Sequence, residues 1–377
     1  MRIYFDNTAS TPIYPEVIEL MTKILKENFG NPSSIHHFGR QSKVTIENAR
    51  KKIAGYLNAA PSEIFFTSGG TEANNMAISG AINDLKVEHV ITSPIEHHAI
   101  LHTLEHYENI GKVKVHFIKL DDKGRIILES LEKLLKQFSA SFVTLMHANN
   151  EISNLLPIKE VSKLCREYDA IFHSDMVQSV CHYKIDFQKI DIDMASSSGH
   201  KFHAPKGVGF IYINGKRLKI NPFIIGGGQE RNMRGGTENI AGIAALAKAF
   251  EISHQNMEED EKKIRSLKSY MVKMLSETFQ HVDFIGDSMD KGLYTVLSVA
   301  FPENVFDDML LMNLDMEGIA ASSGSACTSG ALKGSHVINH LGINPDRQVI
   351  RFSFSKFNTF DEIDFCINVL KKLNSKS

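Results

Sequence analysis

The stretch Ile64-Phe65-Phe66-Thr67-Ser68-Gly69-Gly70-Thr71-Glu72 runs from an apolar, aromatic-rich segment through a Gly-Gly turn into a segment of helical period. That order reads as a strand delivered directly into a helix, the repeating half of a parallel sheet. Outward from it the same alternation recurs. Candidate strands follow at His89-Thr92, Val113-Leu120, Phe142-His147, Ala170-His173, Met194-Ser197 and Val208-Ile213. Helices are predicted near Thr71-Asp84, His97-Asn109, Leu128-Phe138 and Ile158-Tyr168. The pattern predicts an α/β fold around a mainly parallel seven-stranded sheet. Ligands in such sheets bind beyond the carboxyl ends of the strands.

Past Tyr212 the character changes. Glycine clusters at Gly226-Gly228 and Gly235-Gly236 precede a long helical pattern from about Thr237, through a charged turn expected at Glu258-Lys263, to Phe279. We place a hinge there. Strands near Thr295-Phe301 and Val349-Phe354, with helices near Phe306-Asp315 and Phe360-Leu373, predict a small α+β domain. A chain of 377 residues exceeds what one core usually organises, so two domains are expected. Their boundaries are residues 15–256 for the large one, and residues 1–14 with 257–377 for the small one.

Composition narrows the function classes. With 42% hydrophobic and 23% charged residues the chain reads as an ordinary packed protein. Its 42 basic and 44 acidic residues leave a net charge of -2, so no footprint for direct nucleic-acid or membrane binding is expected. Asp6 comes too early for a secretory apolar segment, and no apolar run approaches bilayer length, so a cytoplasmic location is expected. The four cysteines, Cys165, Cys181, Cys327 and Cys366, form no C-x-x-C pair, which argues against a disulfide framework or structural zinc.

Chemistry-bearing residues gather at the predicted strand ends. Ser196-Ser197-Ser198-Gly199-His200-Lys201 sets two possible phosphate ligands, Ser198 and His200, before a lysine, the amine of Schiff-base chemistry, although a solvated loop lysine fits the same stretch taken alone. The Gly69-Gly70-Thr71 turn offers free N–H groups and a helix N-terminus to an anion, or is simply an ordinary capped helix start. It lacks the Walker lysine and the dinucleotide fingerprint spacing. Asp175, in His173-Ser174-Asp175-Met176-Val177-Gln178, stands where a carboxylate can keep a pyridine nitrogen protonated. Asn150 and Gln178 are candidates for polar contact with a ring oxygen, or polar decoration of turns. His97 opens a helix and can stack on a flat cofactor and move protons. His98, His102 and His106 have metal-compatible spacing, but no carboxylate or cysteine motif completes a site and a solvated helix face is the reading. Cys327 lies in the Ser/Gly-rich run Ser322 to Gly330, which favours exposure and reactivity of its thiol, although an incidental loop cysteine fits the same run.

Taken together these segments resemble the cysteine desulfurases, a branch of the class V aminotransferase family with the type I pyridoxal-phosphate transferase fold. The resemblance runs from Phe5-Asp6-Asn7-Thr8-Ala9 through Gly30-Asn31-Pro32-Ser33-Ser34, Ser68 to Glu72 and Asn149-Asn150-Glu151-Ile152. It continues through Ser198 to Lys201, Arg234-Gly235-Gly236-Thr237, Ser322 to Ser329 and Ile350-Arg351-Phe352-Ser353. It implies that Lys201 carries pyridoxal 5'-phosphate, Asp175 pairs with the ring nitrogen, and His97 stacks on the ring and shuttles protons. Gly70, Thr71, Ser198 and His200 are implied phosphate contacts, with Thr237 reaching in from the second subunit of a homodimer. Asn150 and Gln178 are implied ring-oxygen contacts, and Asn31 and Arg351 hold the substrate carboxylate. Cys327 is implied to take sulfur from L-cysteine, leaving L-alanine, and to pass it to an iron–sulfur scaffold or a tRNA-thiolation relay. Selenocysteine lyase or class V transaminase chemistry on the same fold is the alternative, and a catalytically silent scaffold protein is a further one.

The sequence also departs from the family pattern. Met176 is expected under the ring in place of a small alanine, Ser153-Asn154 replaces a glycine and an apolar residue, and Ala204 stands where glycine is frequent.

Overall fold

The structure, a computed structural model, describes residues 2–374 other than 290, 307 and 324–334. Its strands are β1 (Ile3–Tyr4), β2 (Ile64–Thr67), β3 (His89–Thr92), β4 (Lys114–Phe117), β5 (Phe142–Thr144), β6 (Ile171–Asp175), β7 (Met194–Ser198), β8 (Gly209–Ile213), β9 (Asp283–Phe284), β10 (Val296–Ala300), β11 (Ile319–Ala320) and β12 (Val349–Ser353). The helices are α1 (Pro15–Glu27), α2 (His37–Leu57), α3 (Gly70–Ser79), α4 (His98–Asn109), α5 (Leu128–Gln137), α6 (Ile158–Glu167), the single turn α7 (Gln229–Asn232), α8 (Ile240–Thr278), α9 (Leu310–Met316), α10 (His336–His340) and α11 (Phe360–Asn374).

The main sheet has seven strands in the order β2-β8-β7-β6-β5-β3-β4. Only β8 runs antiparallel to its neighbours, so β2, β7, β6, β5, β3 and β4 all end at the same edge. Strands β5, β7 and β8 are buried throughout, and β6 is buried in all but Ile171, as expected of a sheet covered on both faces. Where β8 enters, a Cβ on Gly209 would stand 2.3 Å from the Ser197 carbonyl and 2.9 Å from Gly69 Cα, so only glycine fits between the two functional turns.

Among the described residues two hydrophobic clusters are the largest, and a third packs α3 and α4 against the sheet. One of the two, drawn from Tyr14 to Ile252, packs the sheet against α1, α2, α6 and the first half of α8. The other joins Ile3 and Phe5 to Ile264–Leu370 around β10 and β12. The turn expected at Glu258-Lys263 does not form: α8 runs unbroken from Ile240 to Thr278, because its charged middle remains helical between two buried stretches. Helices α1 and α2, before the first predicted strand, pack on α8. Pro15 starts α1, and the His36 ring caps α2 by accepting the Gly39 N–H.

Candidate active site

At the common edge of the strand ends lies a cavity of about 220 Å³. Its walls bring together Lys201, Asp175, His97 and Arg351, with Gly70, Thr71, Ser198 and His200 at one side and Asn150 and Gln178 at another. A larger cavity of about 610 Å³ shares Met146 with it but contains none of the residues predicted from sequence. The smaller one therefore gathers the residues predicted from sequence.

Each side chain arrives from a different element. Asp175 is the last residue of β6 and is 6% exposed. Its Oδ1 accepts the Val177 N–H at 3.0 Å and its Oδ2 accepts an Asn74 Nδ2–H at 2.7 Å. Lys201 closes the short turn after β7, and its Nζ donates to the carbonyls of Thr8 (2.7 Å) and Ala9 (2.9 Å). Gln178 Nε2 donates to the same Thr8 carbonyl at 3.1 Å. The N-terminal segment is thus a wall of the site.

His97 caps α4: its Nδ1 accepts the Ala99 N–H at 3.0 Å, which in the neutral ring places the proton on Nε2. Burial lowers its pKa, opposed by the Asp175 carboxylate, so the imidazole is neutral around pH 7. Burial also lowers His200, to about 4, with Lys201 and Lys206 adding to the effect. Arg351, on β12 and 2% exposed, donates from Nη2 to Asp6 Oδ1 (3.0 Å) and from Nη1 to the Asn150 carbonyl (3.1 Å). Asn149 sets up that carbonyl by accepting the Glu151 and Ile152 N–H groups in a tight turn.

Gly69, at φ 153°, turns the chain from β2 into α3, whose first N–H groups have no side-chain cap. Ser198 stands against this turn, and a Cβ on Gly70 would meet Val177 Cγ2 at 2.6 Å. The result is a helix N-terminus opened toward the cavity beside a serine and an imidazole, an arrangement suited to an anion.

Two predicted residues lie elsewhere. Asn31 is exposed, its Oδ1 accepting the Ser33 N–H at 2.9 Å, and it does not line the cavity. Thr237 is exposed and lines a separate cleft with Thr67 and Ser68. Cys327 lies outside the described residues. The described cysteines, Cys165, Cys181 and Cys366, are all buried. Met176 corrects the expectation placed on it: it is fully buried in the large core, and the neighbouring Val177 lines the cavity instead. Successive residues leaving a strand point to opposite sides, so a shift of one position exchanges core for cavity. Among the described residues no group of histidines, cysteines and carboxylates is arranged to hold a metal. His98 stacks on His102 and lies tilted against His336, at ring separations of 4.6 and 4.5 Å.

Sequence reasoning missed Asn74 and Glu96. Asn74 sits four residues past Gly70, a helical repeat that puts it on the cavity side of α3, and that spacing was the available signal. Glu96 is 1% exposed and accepts the Met146 N–H, and its carboxyl is held well above the usual range by burial, against that hydrogen bond.

The model of the Aminotransferase class-V family matches residues 3–365. The chain is 40% identical over 380 residues to cysteine desulfurase IscS of Dictyoglomus turgidum, covering 100% of this chain and 95% of that protein. Among solved structures, a NifS-like protein superposes with a TM-score of 0.92 at 35% identity over 100% of both chains. SspA in complex with cysteine superposes with a TM-score of 0.81 at 32% identity, covering 95% of this chain and 100% of that one. Strand order, cavity and family match agree, and the chain belongs to the class V aminotransferase family.

Proposed function

We propose that the protein is a pyridoxal-phosphate-dependent cysteine desulfurase, taking sulfur from L-cysteine, releasing L-alanine and carrying the sulfur as a persulfide on Cys327. The observation that carries this reading is the meeting of Lys201, Asp175, His97 and Arg351 in one small cavity. The 40% identity, end to end, with a relative named cysteine desulfurase supports it, as does a structural relative described in complex with cysteine.

The residues present fit pyridoxal 5'-phosphate. Thr8 Oγ1, Asn74 Oδ1 and Arg351 Nε are buried without a hydrogen-bond partner among the described residues, and all three side chains line the cavity. Buried polar atoms of that kind call for a polar ligand. Gly70, Thr71, Ser198 and His200 would hold the phosphate, Asp175 the ring nitrogen, and Asn150 and Gln178 the ring oxygen. Lys201 would attach through Nζ, with Thr237 of a second subunit completing the phosphate cup in a homodimer. Pyridoxal phosphate supplies, when bound, an electron-poor ring that stabilises negative charge on the carbon beside the substrate nitrogen.

The chain's own groups do the rest. Arg351 anchors the substrate carboxylate, a task that a guanidinium performs through two parallel hydrogen bonds. Lys201 Nζ takes the proton from the substrate Cα, and His97 carries protons on Nε2. The Cys327 thiolate forms an S–S bond to the substrate sulfur as the Cβ–S bond breaks. The electron pair of the broken bond stays with the carbon skeleton, which leaves as alanine after protonation. In this reading residues 15–256 are the cofactor-binding domain, and residues 1–14 with 257–377 are the small domain bearing the thiol. The acceptor is a sulfur-carrying protein, an iron–sulfur scaffold or a tRNA-thiolation relay. Among the described residues no helix is long and apolar enough to cross a membrane, and we place the enzyme in the cytoplasm.

The test is mass spectrometry of the cofactor-loaded protein after incubation with L-cysteine. The peptide containing Cys327 should gain one sulfur, and free alanine should accumulate. Cys327→Ala should keep the cofactor's visible absorption yet release no sulfide. Desulfurisation by that variant at the wild-type rate would eliminate the persulfide step.

A further inference from the structure

Asp175 is held from two sides by neutral N–H donors. Val177 N donates to Oδ1 at 3.0 Å and Asn74 Nδ2 to Oδ2 at 2.7 Å. Asn74 is 1% exposed, lines the same cavity, and leaves its own Oδ1 buried without a partner among the described residues. It rises from the second turn of α3, directly behind Gly70 and Thr71 in the first. A residue with only a packing role at the α3–β6 contact would be better served by an apolar side chain, since a buried carbonyl without a partner costs stability. The amide needs another explanation.

We propose that Asn74 is a positioning residue: its Nδ2–H fixes the rotamer of Asp175 and holds Oδ2 as a hydrogen-bond acceptor, and this sets how firmly Asp175 grips the ring nitrogen of bound pyridoxal phosphate. The inference rests on the reading of this cavity as the pyridoxal-phosphate site. A carboxyl carrying a proton on Oδ2 would point that proton at the amide N–H, so the pair as built admits Asp175 only as an acceptor on that side. One helix thereby governs both ends of the cofactor, through its N-terminal N–H groups and through Asn74.

The pair makes a distinctive prediction for Asn74→Asp. Two carboxyl groups at hydrogen-bond distance share one proton. While that proton is bound, it replaces the missing N–H donor. Once it is lost, the two charges repel and Asp175 leaves its rotamer. Asn74→Leu has no such proton, and its defect should not depend on pH. His97, His200, Lys201 and Arg351 line the same cavity, and Glu96 lies in the wall of the adjoining one. They are present in every variant, so the ratio of variant to wild type at each pH isolates the Asn74–Asp175 pair.

The experiment strips the full-length protein of cofactor and titrates it with pyridoxal 5'-phosphate, reading the dissociation constant and the visible spectrum from about pH 6 to about pH 9. Asn74→Leu should bind roughly tenfold more weakly at every pH. Asn74→Asp should bind nearly as well as wild type at the acid end and weaken progressively toward the alkaline end. Wild-type affinity and spectrum in Asn74→Leu would overturn the proposal, and so would an equal, pH-independent loss in both variants, which marks a packing role. Asp175→Asn separates the two readings. If it binds cofactor as wild type does, the assignment of Asp175 fails and the inference with it. If it binds weakly while the Asn74 variants are unaffected, the inference alone fails.

Discussion

Arg351 spends two of its nitrogens on Asp6 and the Asn150 carbonyl and keeps a buried Nε without a partner among the described residues. Those contacts hold the fork rigid before any substrate arrives. Arg351→Lys keeps the charge and loses the fork, so KM for L-cysteine should rise about 10- to 100-fold with little change in cofactor affinity, checked by steady-state kinetics beside a cofactor titration. At Ser153 a departure noted in the sequence acquires a cause. The residue sits at φ 66°, the region that favours glycine, and its hydroxyl donates to the Val296 carbonyl at 2.8 Å. That Lys201, Asp175 and His97 gather in one cavity was legible from motif order. Asn74 was not, because an asparagine inside a helix has a partner only once the sheet has folded against it.

Among the elements, the turn α7 is the most strained. Glu230, Arg231 and Asn232 have φ of 45°, 56° and 65°, consecutive left-handed residues without a glycine. Each such residue costs about 1–3 kcal/mol unless its surroundings enforce it. The enforcement comes from Arg50 on α2, whose Nη1 and Nη2 donate to the two oxygens of Glu230 at 2.8 and 2.9 Å, with both side chains 2% exposed. Glu230 also accepts the Phe66 N–H of β2. Arg234, just beyond, pairs with Glu72 on α3, so the segment leading to Thr237 is tied to the anion-facing helix. Arg50→Ala leaves Glu230 buried and unpaired, and should cost about 3–5 kcal/mol, read as a lower urea midpoint at unchanged slope. Sequence pattern placed glycine-rich turns on both sides of this segment, yet the pair joins residues 180 positions apart and no local pattern encodes it.

At the scale of the whole molecule, the fold buries neutral imidazoles in numbers. Burial lowers His147, His182, His200 and His203 to about 4 and His173 to about 3. Unfolded, each titrates near 6.5, so the unfolded chain takes up protons first as the medium is acidified. Stability from these groups is therefore complete above about pH 6.5 and is lost as pH falls from there toward 4. Urea midpoints measured at intervals between pH 7.5 and 4.5 should fall steeply below about pH 6.5. His173→Gln, which retains polar atoms near Thr144 and Ser196, should make that decline shallower. What the sequence by itself determined was the sheet class, the residue types at strand ends and the order of the motifs, because strand and helix periods and turn chemistry are local properties of the chain. The tertiary structure alone decided that Val177 rather than Met176 faces the cavity, that α8 passes unbroken through its charged middle, and that Asn74 grips Asp175. Those outcomes depend on contacts between distant segments, and such contacts form only when burial brings the segments together.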